Sequence, residues 1–181
     1  MTIRSWLTSL ADERVLFPRF STVTVLDTEF QTDPPGSRPR PVSLVARDLR
    51  SGAEVRLFRG EFGELPPYPT DSNSLVIAYY ASAEIGFHLA LGWPVPLAIL
   101  DIYIEFRKLT NGLYLPHGAG LVGATNYFDI DYPADKDKMI ALINRGGWSP
   151  EERAEIIRYN AIDVDALVKL VHRMFADDRS R

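Results

Sequence analysis

The sequence predicts an α/β domain in which a mixed five-stranded sheet is followed and flanked by helices. Three observations carry this. Thr22 to Phe30 is a run rich in β-branched and apolar residues, and two further strand-like runs follow it around a turn. The apolar stretch from Ser74 to Leu100 divides, by its punctuation, into strand, helix and strand. Beyond Asp101 every regular pattern is helical, and the last opens on Ser149-Pro150-Glu151-Glu152, a capping box with proline at the first helical position.

In chain order, residues 3–12 suggest a short amphipathic helix. Residues 22–30, TVTVLDTEF, read as a buried strand. Residues 31–40, QTDPPGSRPR, make a polar loop. Pro41 to Asp48 and Ala53 to Arg59 read as two strands around Leu49-Arg50-Ser51-Gly52, a hairpin, so part of the sheet is antiparallel. Residues 60–73 are again loop. Ser74 to Tyr80 forms the fourth strand, Ala81 to Leu91 a helix, and Ala98 to Asp101 a short fifth strand. Asp101 suits the N-cap of a helix over Ile102 to Leu109, which Asn111-Gly112 ends. A short helix lies within residues 113–128, another over 134–145, and the capped one runs toward Phe175.

A chain of 181 residues fits one domain, 1 to 181, and 46% hydrophobic residues supply a core. The absence of cysteine excludes a disulfide scaffold and a thiolate zinc site, and is compatible with the cytoplasm, the expected location. Met1 to Ala11 lacks the basic and then apolar layout of a secretory signal. Residues 74–100 are apolar enough to raise the question of a membrane helix. Glu84 and His88 would be costly in lipid and Trp93-Pro94-Val95-Pro96 would break the helix, so no membrane span is expected. The net charge of −4 is unlike the basic balance common in nucleic-acid binders. A cluster of carboxylates awaiting divalent cations would distort that count.

Two acidic pairs stand out. Asp27 and Glu29 are two apart on an apolar strand and therefore share a face. Side by side in a core they repel and lose hydration, and a bound cation removes both problems. The plainer alternative is a fraying strand end with both acids in water. Tyr159 and Asp163 are four apart on the well-capped last helix and share a face there. Taken alone they are better explained by a surface tyrosine beside a solvated acid.

Together the pairs are far more specific. In them the chain resembles the DEDD exonucleases of the ribonuclease-H-like fold, in the tyrosine-bearing subclass. Within that group it looks nearest to the proofreading exonuclease domains of family A DNA polymerases, phage-type ones included. The first motif matches Leu26-Asp27-Thr28-Glu29-Phe30 and the third Tyr159-Asn160-Ala161-Ile162-Asp163, and the resemblance covers residues 22–175. The second motif departs from the family, which usually has asparagine and then aspartate just after the fourth strand. Here Tyr80 takes the asparagine place, Glu84 the aspartate place, and Gly92 falls where a glycine commonly ends the helix. Asp101 is the rival second acid, with helix capping as its other role. Asp165 faces away from Asp163 and reads as solvated surface.

The resemblance implies a ribonuclease-H-like sheet and a metal-dependent 3′→5′ exonuclease. Such an enzyme hydrolyses phosphodiester bonds at the 3′ end of DNA, preferentially single-stranded, and releases nucleoside 5′-monophosphates. It implies two divalent cations, Mg²⁺ or Mn²⁺, on oxygen ligands. Asp27 is expected to bridge both, Glu29 and Asp163 to complete the first site, Glu84 to hold the second, and Tyr159 to aim the attacking water. Thr28, Phe30, Tyr80 and His88 are candidates for substrate contact, with His88 better suited to a packed neutral role. Arg47, Arg50, Arg56 and Arg59 concentrate on the hairpin, where they could meet phosphates or simply line a solvated edge. A DNA polymerase domain or subunit is the implied partner. Three alternatives stand beside this: an RNA 3′-exonuclease on the same fold, a weakened exonuclease fold kept as an interaction module, and a small-molecule enzyme. The last lacks any P-loop.

Overall fold

The computed structural model describes residues 16–31 and 38–176; the helix expected over residues 3–12 lies outside the described residues. The strands are β1 (Thr22–Gln31), β2 (Arg40–Asp48), β3 (Glu54–Phe58), β4 (Ser74–Ala78) and β5 (Ile99–Asp101). The helices are α1 (Ala81–Leu91), α2 (Ile102–Leu109), α3 (Leu121–Tyr127), α4 (Lys136–Arg145) and α5 (Pro150–Ala176). The sheet order is β3-β2-β1-β4-β5. β1, β2 and β3 pair antiparallel, whereas β1–β4 and β4–β5 pair parallel. β1 therefore sits where the two kinds of pairing meet.

The period-two alternation of β1 sends its side chains to two different cores. Val23 and Val25 pack with Phe106, Val164, Leu167 and Leu170, from α2 and α5. Leu26, on the other face, packs with Leu44, Phe87 and Trp93 under α1. Each such fully buried side chain contributes about 1.5–3 kcal/mol relative to leaving it in water. A third cluster of Phe58, Met139, Ile143, Trp148, Ile156 and Tyr159 seats α4 and the start of α5 beside the sheet. The capping box forms in both directions: Ser149 N donates to Glu152 at 2.9 Å and Glu152 N to Ser149 Oγ at 3.3 Å. No described helix is long and apolar enough to cross a membrane.

Two local features position the acidic residues. β1 pairs with β4 only from Thr22 to Val25, opposite Ser74 to Ile77. From Leu26 onward its ladder partner is β2 alone, with a register shift between Glu29 and Phe30. Both acids of β1 therefore lie on an overhang. Secondly, β4 ends at Ala78 rather than running to Tyr80. Tyr80 turns the chain in a left-handed conformation, φ 72° and ψ 61°, and caps α1. The backbone amides of Tyr80 and Ala81 then reach Asp101, at 3.1 and 3.0 Å, instead of a neighbouring strand.

Candidate metal centre

Asp27 and Glu29 project from one face of β1, and α5 packs on that face with Asp163. One carboxylate oxygen from each of these three residues lies within 4.8 Å of the other two. None of the ion pairs among the described residues includes any of them. Burial holds all three above the usual carboxylate range, and repulsion adds to it for Asp27 and Glu29. Burial is the larger cause for Asp27, followed by the charges of Asp163, Glu29 and Glu84. Glu29 is pushed up to about 8 by burial and then by Asp163 and Glu84. Asp163 is pushed up to about 6 by burial, against hydrogen bonds from tyrosine that pull it down. Lys136, at the exposed start of α4, is the cation whose charge opposes all three shifts.

Around the acids is a shell of polar groups. Asn160, fully buried on α5, donates its Nδ2 to Asp27 Oδ2 at 3.0 Å, and its own Oδ1 has no hydrogen-bond partner. Ser43 sits opposite Glu29 in the β1–β2 ladder, fully buried, with its hydroxyl equally unpartnered. Tyr132 donates to Asp163 Oδ1 at 2.5 Å. Tyr159 is 4% exposed and lies close to both Tyr132 and Asp163. Burial and then the charge of Asp163 hold the Tyr159 phenol far above its ordinary pKa, so it stays protonated at neutral pH.

Glu84 is placed differently. It is 3% exposed in the first turn of α1 and accepts a 2.5 Å hydrogen bond from the Thr28 hydroxyl, between the two acids of β1. Its carboxyl is pushed up to about 8 by burial, with the Thr28 bonds pulling it down and the charge of Asp101 pushing it up. It lies near enough to raise Asp27 and Glu29 but outside the cluster of three.

Asp101 caps α2, accepting from Tyr103 N at 2.9 Å and Ile104 N at 3.4 Å. Since it also holds the amides of Tyr80 and Ala81, one carboxylate fastens the starts of α1 and α2. His88 is 1% exposed. Its Nδ1 lies 2.8 Å from the Pro94 carbonyl, so it donates there, and Nε2 accepts from the Tyr68 hydroxyl at 2.7 Å. Phe30 is half-buried at the end of β1, whereas Tyr80 is 55% exposed. Asp165 is half-exposed and pairs with Arg47 at 2.6 Å.

The four arginines are committed to the fold. Arg47 also pairs with Glu54, as does Arg56. Arg50 donates to the carbonyls of Leu16 and Phe17. Arg59 donates to Pro41 O, Arg40 O and Gln31 and lies 5.1 Å over the Trp148 ring.

Tyr132, Asn160, Ser43 and Lys136 are site residues that sequence reasoning passed over. Asn160 had a signal, since it lies three before Asp163 on one helix face. Tyr132 sits in a loop without periodicity. Ser43 requires the hairpin register to be known.

This donor set fits a hard divalent cation. It is all oxygen, it is at least half-buried, it lacks an ion-paired cation among the described residues, and it leaves two buried polar atoms beside it unsatisfied. A consequence can be measured without activity. A carboxyl whose folded pKa is raised contributes stability that is full below its unfolded value and is lost as pH rises through the folded one. For Glu29 that window runs from 4.5 to about 8. The metal-free protein should therefore melt at progressively lower temperature across this window, and Mg²⁺ should reverse the loss. A melting temperature that rises with pH in chelator would contradict repulsion among the three acids.

No family model matches the sequence, and no curated protein does. The fold does match solved structures. Escherichia coli RNase D, described as an exoribonuclease involved in structured RNA processing, aligns at a TM-score of 0.54 and 14% identity. The alignment covers 98% of this chain and 44% of that one, so the chain spans less than half the length of RNase D. A nuclease in its apo form aligns at a TM-score of 0.50 and 17% identity, covering 90% of this chain and 77% of the other. At such identities the likeness shows the fold, a ribonuclease-H-like α/β architecture with a mixed five-stranded sheet.

Proposed function

We propose that this chain is a metal-dependent 3′→5′ exonuclease acting on single-stranded ends. The observation that carries the reading is the trio of half-buried Asp27 and Glu29 and buried Asp163, closed within 4.8 Å on this fold with Tyr159 beside it. Asp27, Glu29 and Asp163 would hold the first divalent cation, with Asp27 shared with a second. Glu84 would turn from Thr28 to hold that second ion. When bound, such ions supply a route to deprotonated water near neutral pH and balance charge on the entering and leaving oxygens.

The chain's own residues do the rest. Asn160 fixes the Asp27 carboxylate and Tyr132 fixes Asp163. Tyr159, protonated, orients the attacking water by a hydrogen bond rather than serving as base. Tyr159→Phe should thus slow turnover roughly 10- to 1000-fold, a few kcal/mol of barrier, with metal affinity nearly unchanged. Collapse of metal binding in that variant would make Tyr159 a structural residue instead.

DNA is the preferred substrate in this reading, with a polymerase domain or subunit as partner. RNA is the second reading, and the likeness to RNase D favours it. Matched DNA and RNA oligonucleotides, labelled at either end, test both. Stepwise shortening from the 3′ end with Mg²⁺ or Mn²⁺ is expected, and undiminished activity in excess chelator would rule the mechanism out.

A further inference from the structure

We infer that Tyr80, Tyr103 and Arg107 form a stacking surface for an unpaired base of the strand whose 3′ end enters the acidic site; this rests on the nuclease reading above. Three observations meet here. Tyr80 is 55% exposed, yet its backbone is left-handed at φ 72°, a conformation that L side chains rarely adopt and that asparagine tolerates better. Asparagine is also what the resembling family usually carries at this place. A tyrosine held there adds strain while leaving more than half of its surface in water, so folding gains less from it than from a buried ring. Strain of this kind in an observed outlier points toward function.

The ring is also held in place. Tyr103 meets Tyr80 edge to face at 5.4 Å and Tyr79 at 6.0 Å, and the Tyr79 hydroxyl is tied to the Ala119 carbonyl. Oδ1 of Asp101 accepts from the amides of both Tyr80 and Tyr103, which fixes the two residues to one carboxylate. The exposed Arg107 guanidinium sits 6.0 Å over the Tyr103 ring. Aromatic faces beside an arginine suit a single-stranded nucleic acid, because every base has a π-face and the backbone is anionic.

The surface is connected to the acids through α1. Tyr80 precedes Glu84 by one helical turn, and Glu84 bonds Thr28 between Asp27 and Glu29. It offers an aromatic contact in a chain whose hairpin arginines are already engaged within the fold.

Steady-state cleavage of a short 5′-fluorescein oligonucleotide with Mg²⁺, made as DNA and as RNA, tests the assignment. Tyr80→Asn should raise KM about 5- to 100-fold, the range for one lost base stack, while the melting temperature holds or rises. Tyr80→Phe should keep the wild-type KM. Tyr103→Ala and Arg107→Ala should shift KM in the same direction by smaller factors. An abasic residue at the stacked position should raise the wild-type KM similarly and have no added effect on Tyr80→Asn. The loss is expected on DNA and RNA alike, since both carry the same base faces. Normal 3′ cleavage by wild type with unchanged KM in all three truncated variants would overturn the stacking surface alone. A wild-type protein that leaves 3′ ends intact with Mg²⁺ and with Mn²⁺ would overturn the nuclease reading and the surface with it.

Discussion

Asp27→Ala is expected to lose essentially all turnover while remaining folded, and its effect on stability should change sign with pH. Two effects compete. Removing the carboxylate relieves repulsion among Asp27, Asp163, Glu29 and Glu84, which burial intensifies. It also strips Asn160 Nδ2 of its acceptor inside the protein, a loss of about 1–3 kcal/mol. At acidic pH the acids carry protons, repulsion is weak, and the lost hydrogen bond dominates, so the variant should melt below wild type. Above neutral pH, without metal, repulsion dominates and the variant should melt higher, by roughly 2–4 °C for each kcal/mol relieved. Added Mg²⁺ should stabilise wild type and leave the variant unmoved. Near-normal cleavage by Asp27→Ala would remove the first motif from the mechanism.

Glu84→Ala and Asp101→Ala should separate two residues that sequence alone left as rivals. If Glu84 reaches the second cation, Glu84→Ala should slow cleavage by about 10- to 100-fold or more and flatten its dependence on metal concentration. Glu84→Asp should keep part of the activity, because the carboxylate survives but the reach is shorter. Asp101→Ala should act on stability. It removes the acceptor for the amides of Tyr80, Ala81, Tyr103 and Ile104, so a loss of about 1–3 kcal/mol is expected, somewhat above a single N-cap. A silent Glu84→Ala beside a dead but well-folded Asp101→Ala would exchange the two roles.

Much of this arrangement was legible in local chemistry. The β-branched run of β1, the hairpin of β2 and β3, the Gly92 stop of α1 and the capping box of α5 each state their structure within a few residues. The trio of acids was legible because two of them alternate on a strand, the third shares a helical face with a tyrosine, and the two pairs together resemble the motifs of one family. What escaped was set by register and by loops. Ser43 matters only because the ladder puts it opposite Glu29. Tyr132 reaches Asp163 from a segment with no pattern to read. The arginines looked free because their partners, Asp165, Gln31 and backbone carbonyls, are brought to them by pairing and by the packing of α5. Glu84 was legible as an acid near the right turn, but its bond to Thr28 was not.

The overhang of β1 has a dynamic side. Past Val25 the backbone of the strand pairs with β2 alone, and the register shifts after Glu29. Segments with fewer hydrogen-bonded neighbours open locally at lower free energy than the core to which they belong. In deuterium-exchange measurements a peptide spanning residues 26–31 should therefore take up label well before one spanning residues 22–25. A divalent cation joining Asp27 and Glu29 to Asp163 would bridge the overhang to α5 and slow its uptake selectively. Loading of the site would then be readable from exchange at the tip of a single strand, with no nucleic acid present.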